Sequence, residues 1–216
     1  MDPPECSGHS HDHDHGDDLG VSLRPHIDLP AVSCLNEDVR HSGRAILKIH
    51  EERLSTEPSL RSQDDDPELL LHAPCAEAVT CQSISIRSVV DAGVEAVPPR
   101  KIKIFTNRDD LDFEMARDMQ AVTELELLPP YHFVEGTIDY PLRPAGRYQN
   151  ISSLTIFVEN NYGDEDDDDV PTIITFVGIK GKGSGQKRMA VDTVYESRGM
   201  KKDHKVKGEF GSSQIL

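Results

Sequence analysis

The sequence has 216 residues, enough for one folded domain with non-globular ends or for two small domains. Lys and Arg total 23 against 39 Asp and Glu, so the formal net charge at pH 7 is −16. This charge argues against nucleic-acid binding and against adsorption to anionic lipid, because both need a basic patch. No apolar run approaches the roughly 18 residues of a membrane-spanning helix. The N-terminus also lacks the basic and apolar regions of a secretory signal.

Composition divides the chain into three segments. Residues 1–28 begin with a stretch of Asp, His, Gly, Ser and Pro, and we predict a disordered arm there. Residues 29–197 alternate short apolar bursts with turn residues, which predicts the folded unit. Residues 198–216 are polar and rich in Lys, and we predict a flexible tail.

Several segments of the folded unit have the composition and the two-residue alternation of β-strands. In chain order they are 69–71, 83–87, 101–104, 124–127, 154–158, 173–177 and 191–195. The one fair helix candidate is 112–119, where Phe113 and Ala116 are three residues apart. Seven or more short strands with almost no helix predict an antiparallel β-sandwich.

Two connecting segments are distinctive. Residues 163–169 (GDEDDDD) carry six acidic residues in seven, which is typical of a solvated loop. Residues 178–185 (GIKGKGSG) contain four glycines and predict a flexible, basic hairpin loop. Their spacing does not match a phosphate-binding loop, because no Lys–Ser or Lys–Thr pair follows the second glycine of the motif.

Catalytic signatures are missing from the sequence. It contains neither G-x-S-x-G nor H-E-x-x-H. The adjacent acids at 64–66 and 109–110 lie in polar loops and are interpreted as solvated surface, since general acid catalysis needs a site that raises the pKa. His72 and His132 are isolated and are interpreted as structural. We therefore predict no enzyme, no catalytic residue and no cofactor-binding residue.

The cysteines indicate the compartment. Cys6, Cys34, Cys75 and Cys81 show no C-x-x-C spacing for redox exchange or zinc. Scattered thiols without a secretory signal are typical of a reducing compartment, so we expect a cytoplasmic and nuclear protein. We interpret the thiols as small apolar side chains of the core.

Four histidines near the N-terminus alternate with Ser and Asp; they are His9, His11, His13 and His15. Imidazoles at this spacing on a flexible arm can bind zinc, nickel or copper. A solvating disordered arm is the other interpretation, and we name no metal ligand.

Five segments, in order along residues 29–181, resemble motifs of the PITH domain family, named for proteasome-interacting thioredoxin-like proteins. They are 34–37 (CLNE), 64–74 (DDDPELLLHAP), 103–107 with 111–114 (KIFTN, LDFE), 148–158 (YQNISSLTIFV) and 176–181 (FVGIKG). The sequence departs from the family at 73–75, where Ala-Pro-Cys replaces Ile-Pro-Phe, and at 144–146, where Pro-Ala-Gly interrupts a more continuous segment.

The resemblance implies a jelly-roll-like β-sandwich, similar to galactose-binding-like domains. It also implies docking on protein partners, which in thioredoxin-fused relatives is the proteasome regulatory particle. No redox activity carries over, because the thioredoxin half and its C-x-x-C are missing. The leading hypothesis is a non-enzymatic protein-interaction module. The alternatives are glycan or small-ligand binding, disfavoured by a sequence with no Trp and five Tyr, and metal sequestration by the N-terminal arm.

Overall fold

The computed structural model describes residues 20–64, 66–89, 96–129, 136–163 and 170–187. Of these, residues 184–187 are described by their backbone only. The strands in these ranges are β1 (Val21–Ser22), β2 (Ser33–Leu35), β3 (Leu60–Arg61), β4 (Leu69–Arg87), β5 (Pro99–Thr106), β6 (Thr123–Glu126), β7 (Ile138–Pro141), β8 (Ile151–Asn161), β9 (Ile173–Ile174) and β10 (Phe176–Lys187). The α-helices are α1 (Ser42–Ala45) and α2 (Phe113–Asp118). Short 3₁₀ helices span Arg24–His26, Leu29–Ala31, His50–Glu52 and Ala145–Tyr148.

The long strand β4 belongs to both layers of an antiparallel β-sandwich. Its first part pairs with β2 on one side and β8 on the other. Its second part pairs with β10 and β7. The first layer therefore has the order β2-β4-β8-β5-β6 and the second has the order β1-β10-β4-β7, while β3 and β9 form a separate antiparallel pair. The predicted fold class is confirmed.

Two register shifts allow β4 to change layers. Against β8, Pro74 pairs with Ser153 and Val79 pairs with Ile151, so residues 75–78 lie opposite the single residue Ser152 and β4 has three extra residues there. Against β10, Lys180 pairs with Ser83 and Gly181 pairs with Cys81, which leaves Gln82 extra. A one-residue bulge changes which residues of a strand face inward.

The core between the layers follows these shifts. In the first part of β4, the residues buried in this core are Leu69, Leu71 and Ala73. In the last part of β4, they are Ile84 and Ile86. Odd-numbered residues thus face the core before the bulge at position 82 and even-numbered residues after it. Full burial of each large aliphatic side chain contributes about 1.5–3 kcal/mol.

Helix α2 covers the outer face of the first layer. Leu70, Phe105 and Phe157 point away from the main core and form a second apolar cluster with Ala116 of α2. The helix begins at an N-cap, Asp112, whose carboxylate accepts a hydrogen bond from the Met115 N–H at 2.8 Å. The central strands of the first layer are consequently buried on both faces.

Lys103 of β5 lies in this second interface and is only 7 % exposed. Its Nζ donates to the carbonyl oxygen of Arg117 at 2.7 Å and to that of Ala116 at 3.4 Å. It also lies 5.9 Å from the centroid of the Phe157 ring. The ammonium group therefore satisfies the C-terminal carbonyls of α2, where the helix dipole favours positive charge.

The glycine-rich segment 178–185 lies within strand β10, so the prediction of a flexible hairpin loop is wrong. A Cβ at Gly181 would overlap the carbonyl oxygen of Thr80 on the adjacent strand, and a Cβ at Gly183 would lie 2.6 Å from Cε1 of His26. Glycine is required at these positions because Thr80 and His26 lie too close for a side chain, not because the segment needs freedom to turn.

The folded unit begins before residue 29, which corrects the predicted N-terminal boundary. Leu23 and Ile27 are buried in the main core. The Leu23 N–H donates to the Ile179 carbonyl at 2.8 Å, and the Asp28 N–H donates to the Pro74 carbonyl at 2.9 Å. These contacts show that residues 23–28, which composition assigns to the arm, belong to the folded unit.

The predicted helix at 112–119 and the predicted strands at 101–104, 124–127 and 154–158 are confirmed, whereas the segments 69–71 and 83–87, predicted as separate strands, both belong to β4. The predicted strand 173–177 is divided at Thr175, whose N–H donates to the Arg87 carbonyl at 2.9 Å. The predicted strand at 191–195, the tail at 198–216 and all but the first residue of the acidic loop lie outside the described residues.

We predict that Lys103→Met lowers the free energy of unfolding by about 1–3 kcal/mol, because buried helix carbonyls lose a charged donor. Lys101→Met, two residues earlier on the same face, is the matched control. The Lys101 side chain is 37 % exposed and pairs with Glu159, so its loss should cost less than about 1 kcal/mol. Urea unfolding of both variants measures the difference. Equal destabilisation would contradict the capping role of Lys103.

Candidate binding cleft

A cleft of about 190 Å³ lies on the outer face of the first layer, beside the edge strand β2. Its walls come from β2, β4, β8 and the loop that follows β5. The lining residues are Ser33, Leu35, Leu70, His72, Thr155, Arg108, Asp109 and Leu111. Register explains the grouping, because His72 pairs with Ser33 on one side and with Thr155 on the other. The three polar residues therefore form a row across adjacent strands.

The loop after β5 is held over this row by the start of β8. Asn107 adopts a left-handed backbone conformation with φ of 55°, which asparagine tolerates better than most residues. Its side-chain oxygen accepts a hydrogen bond from the Ser152 N–H at 2.6 Å. The Ser153 hydroxyl donates to Oδ1 of Asp109 at 3.1 Å. These bonds place the Asp109 carboxylate above His72.

The hydrogen bonds of Thr155 favour one tautomer of neutral His72. The Thr155 hydroxyl donates its single proton to the carbonyl oxygen of Arg108 at 3.2 Å. Nδ1 of His72 lies 2.9 Å from the same hydroxyl oxygen, and with the Thr155 proton directed at Arg108 we assign the proton of the neutral ring to Nδ1. The Nε2 atom of the neutral ring then has a free lone pair. It lies 3.7 Å from Oδ1 of Asp109, and two hydrogen-bond acceptors therefore converge in the cleft.

The charges around the cleft are unequally compensated. Arg108 binds Asp110 with two hydrogen bonds, at 2.7 and 2.8 Å, which raise the pKa of the guanidinium and lower the pKa of the carboxyl. Asp109 has an 83 % exposed side chain and, among the described residues, forms no ion pair with a lysine or arginine. Burial lowers the pKa of His72 from its ordinary value, and the Asp109 carboxylate opposes that shift.

A second depression, of about 490 Å³, lies along β6. Its charged groups pair with each other: Arg100 lies 3.5 Å from Glu126, and Lys101 lies 3.8 Å from Glu124. Because these groups already compensate one another, the cleft at His72 is the stronger candidate site.

The sequence nominated neither His72 nor Asp109. The sequence predicts a structural role for His72 and a solvated surface position for Asp109, whereas the structure brings the two side chains together across the first layer. The signal available in the sequence was a histidine at an outward position of a strand. Its partner could not be identified without the strand register. His132 and the four histidines between residues 9 and 15 lie outside the described residues.

The described cysteines include Cys34 and Cys81, which are free thiols. Burial raises the pKa of Cys81 to about 12 and also raises the pKa of Cys34 well above its usual range. Both thiols are therefore protonated at neutral pH, as expected of core side chains.

Within the described ranges, no three His, Cys, Asp or Glu side chains are grouped closely enough to hold a metal ion. No helix in the part of the chain that the structure describes is long and apolar enough to span a membrane.

Comparison with solved structures places this fold among the β-sandwich domains. The CBM32-3 domain of a family 31 glycoside hydrolase from Clostridium perfringens is similar, with a TM-score of 0.50, covering 73 % of this chain and 95 % of that domain. At 12 % sequence identity this likeness shows the fold alone.

Comparison of the sequence with protein families and with known proteins identifies the family of this chain. The model of the PITH domain matches residues 13–199, so the chain belongs to the PITH domain family, as the motifs indicated. It is 31 % identical over 201 residues to "PITH domain-containing protein 1" of Dictyostelium discoideum, covering 93 % of each chain. It is also 33 % identical over 211 residues to "PITH domain-containing protein ZK353.9" of Caenorhabditis elegans, covering 93 % of this chain and 94 % of that one.

We predict that His72 carries its proton on Nδ1 at a pH above its pKa. Long-range ¹H–¹⁵N correlation of the imidazole ring measures this directly, since protonated and unprotonated ring nitrogens have different shifts. Thr155→Val keeps the shape of the side chain but removes the acceptor, and should weaken the preference. An Nε2–H tautomer in the unsubstituted protein would contradict the assigned hydrogen bonds.

We predict that Asp109→Asn lowers the pKa of His72 further below 6.5, because the carboxylate that favours the protonated ring is lost while burial remains. NMR titration of the His72 ring measures the change. Asp118→Asn is the control, since Asp118 is exposed on α2 and does not line the cleft. A rise in the His72 pKa on substitution of Asp109 would show that the two groups do not interact as described.

Proposed function

We propose that this protein is a non-enzymatic interaction module that binds a protein partner through the His72 cleft. The cleft supports this function because its acceptors and apolar walls face solvent and are only partly used by the fold. Its volume of about 190 Å³ is below the roughly 300–1,000 Å³ typical of small-molecule pockets. A space of that size suits one side chain of another protein.

The partner we propose is the proteasome regulatory particle, which the family resemblance implies. The chain's net charge of −16 favours encounter with a basic patch on such a partner. The free thiols of Cys34 and Cys81 fit a reducing compartment, and we propose that the protein acts in the cytoplasm and nucleus.

Glycan binding has weaker support. A sugar site normally offers a Trp, Tyr or Phe side chain on which a ring can stack, and none of the residues lining the cleft is one of these. The similarity to a glycoside hydrolase domain extends to the fold and carries no ligand with it.

Affinity capture of the full chain at low and moderate salt, read by mass spectrometry, tests the proposal. We expect regulatory-particle subunits with the unsubstituted protein and about fivefold less capture with Leu35→Thr, which removes an apolar contact but keeps a side chain suited to a strand. Leu128→Thr is the matched control, because Leu35 is 43 % exposed and Leu128 is 42 % exposed, but Leu128 lies outside the cleft.

Two outcomes would count against the proposal. An eluate without regulatory-particle subunits at both salt concentrations would exclude that partner. Equal capture by the Leu35 and Leu128 variants, with melting temperatures matching the unsubstituted protein, would exclude the cleft as the docking surface.

A further inference from the structure

We propose that the cleft is a receptor for a lysine side chain of the partner protein, with the lysine ammonium bound between Nε2 of His72 and the carboxylate of Asp109. This inference rests on the proposed function and specifies the chemistry that the partner must present.

The two acceptors are placed for a single donor group. Nε2 of His72 and Oδ1 of Asp109 are 3.7 Å apart, and in the assigned Nδ1–H tautomer of the neutral imidazole neither holds a proton. An ammonium carries three N–H donors, and a nitrogen seated between the two atoms can lie within hydrogen-bond distance of both. The Ser33 hydroxyl lies in the same wall and offers a third acceptor.

The remaining walls suit the aliphatic stem of lysine. Leu35, Leu70 and Leu111 line the cleft beside the acceptors, and Leu35 is exposed at its rim. Lysine buries its four-carbon stem along apolar surface while its charged end makes polar contacts. The apolar and polar parts of the cleft therefore match the two parts of one lysine side chain.

Local charge favours a cation despite the nearby arginine. The guanidinium of Arg108 is held by Asp110, and its Nη1 lies 3.4 Å from Sδ of Met119. The Asp109 carboxylate remains without a cationic partner among the described residues. The charged residues that line the cleft around the His72 ring are Arg108 and Asp109. The neighbouring strands contribute uncharged residues, Ser33 and Leu35 from β2 and Thr155 from β8.

Protonation of His72 should prevent the cleft from binding the lysine ammonium. A proton on Nε2 converts that atom from an acceptor into a donor, which can then bind Asp109 itself. The lysine would lose one acceptor and face a positive ring. Affinity should consequently fall as the pH is lowered through the pKa of His72.

The test uses the full chain and a defined probe, Nα-acetyl-lysine methylamide, with its Nε-acetylated form as the neutral comparison. At pH 7.5 we expect the lysine probe to produce saturable NMR shift changes at the methyl groups of Leu35, Leu70 and Leu111 and at the His72 ring. The acetylated probe should produce none. Asp109→Asn should weaken binding at least fivefold and should fold normally, because an asparagine oxygen can still accept from Ser153.

Asp118→Asn is again the control, since it changes the net charge equally and should leave affinity within twofold. Equal binding of both probes, or an Asp109→Asn affinity within twofold of the unsubstituted protein, would overturn the proposal. If the affinity experiment captures a partner but the lysine probe does not bind, the proposed interaction module is supported and only the proposed lysine receptor is excluded. Lysine binding that does not weaken on protonation of His72 would overturn the proposed geometry.

Discussion

The register of strand β4 is the constraint on which the sandwich depends. One strand serves both layers, and the extra residue at Gln82 exchanges the side of β4 that faces the core. Without that exchange, Ile84 and Ile86 would point away from the core that Leu69 and Leu71 enter. The close approach of Gly181 to Thr80 occurs at the same bulge, so the absence of a side chain and the change of register belong to one packing arrangement.

The cleft is a consequence of the same register on the other face of the first layer. Because Leu69 and Leu71 face the core, Leu70 and His72 must face outward. Pairing with β2 and β8 then places Ser33 and Thr155 beside His72. Helix α2 covers the part of this face formed by Leu70, Phe105 and Phe157, and the row at His72 remains open at the edge of the layer. The scaffold and the candidate site therefore share one set of backbone hydrogen bonds.

Charge compensation distinguishes the cleft from the depression along β6. Along β6 the acids and bases pair across the strands, and Arg108 is paired with Asp110. At Asp109 a carboxylate instead stands beside a neutral imidazole whose free nitrogen is also an acceptor. We propose that this local excess of acceptors selects a cationic group of the partner at the cleft, whereas the overall acidity of the chain acts on the encounter.

The sequence by itself determined the strands at 101–104, 124–127 and 154–158, the helix at 112–119 and the sandwich class, because alternation and helical spacing are properties of neighbouring residues. Tertiary structure decided the rest. The glycines of β10 are explained by the approach of Thr80 and His26, and the early start of the folded unit is explained by the burial of Leu23 and Ile27. The meeting of His72 with Asp109 likewise depends on strand register and on the turn at Asn107. Contacts between segments far apart in the chain leave no periodic pattern in either segment, so only the folded structure could identify them.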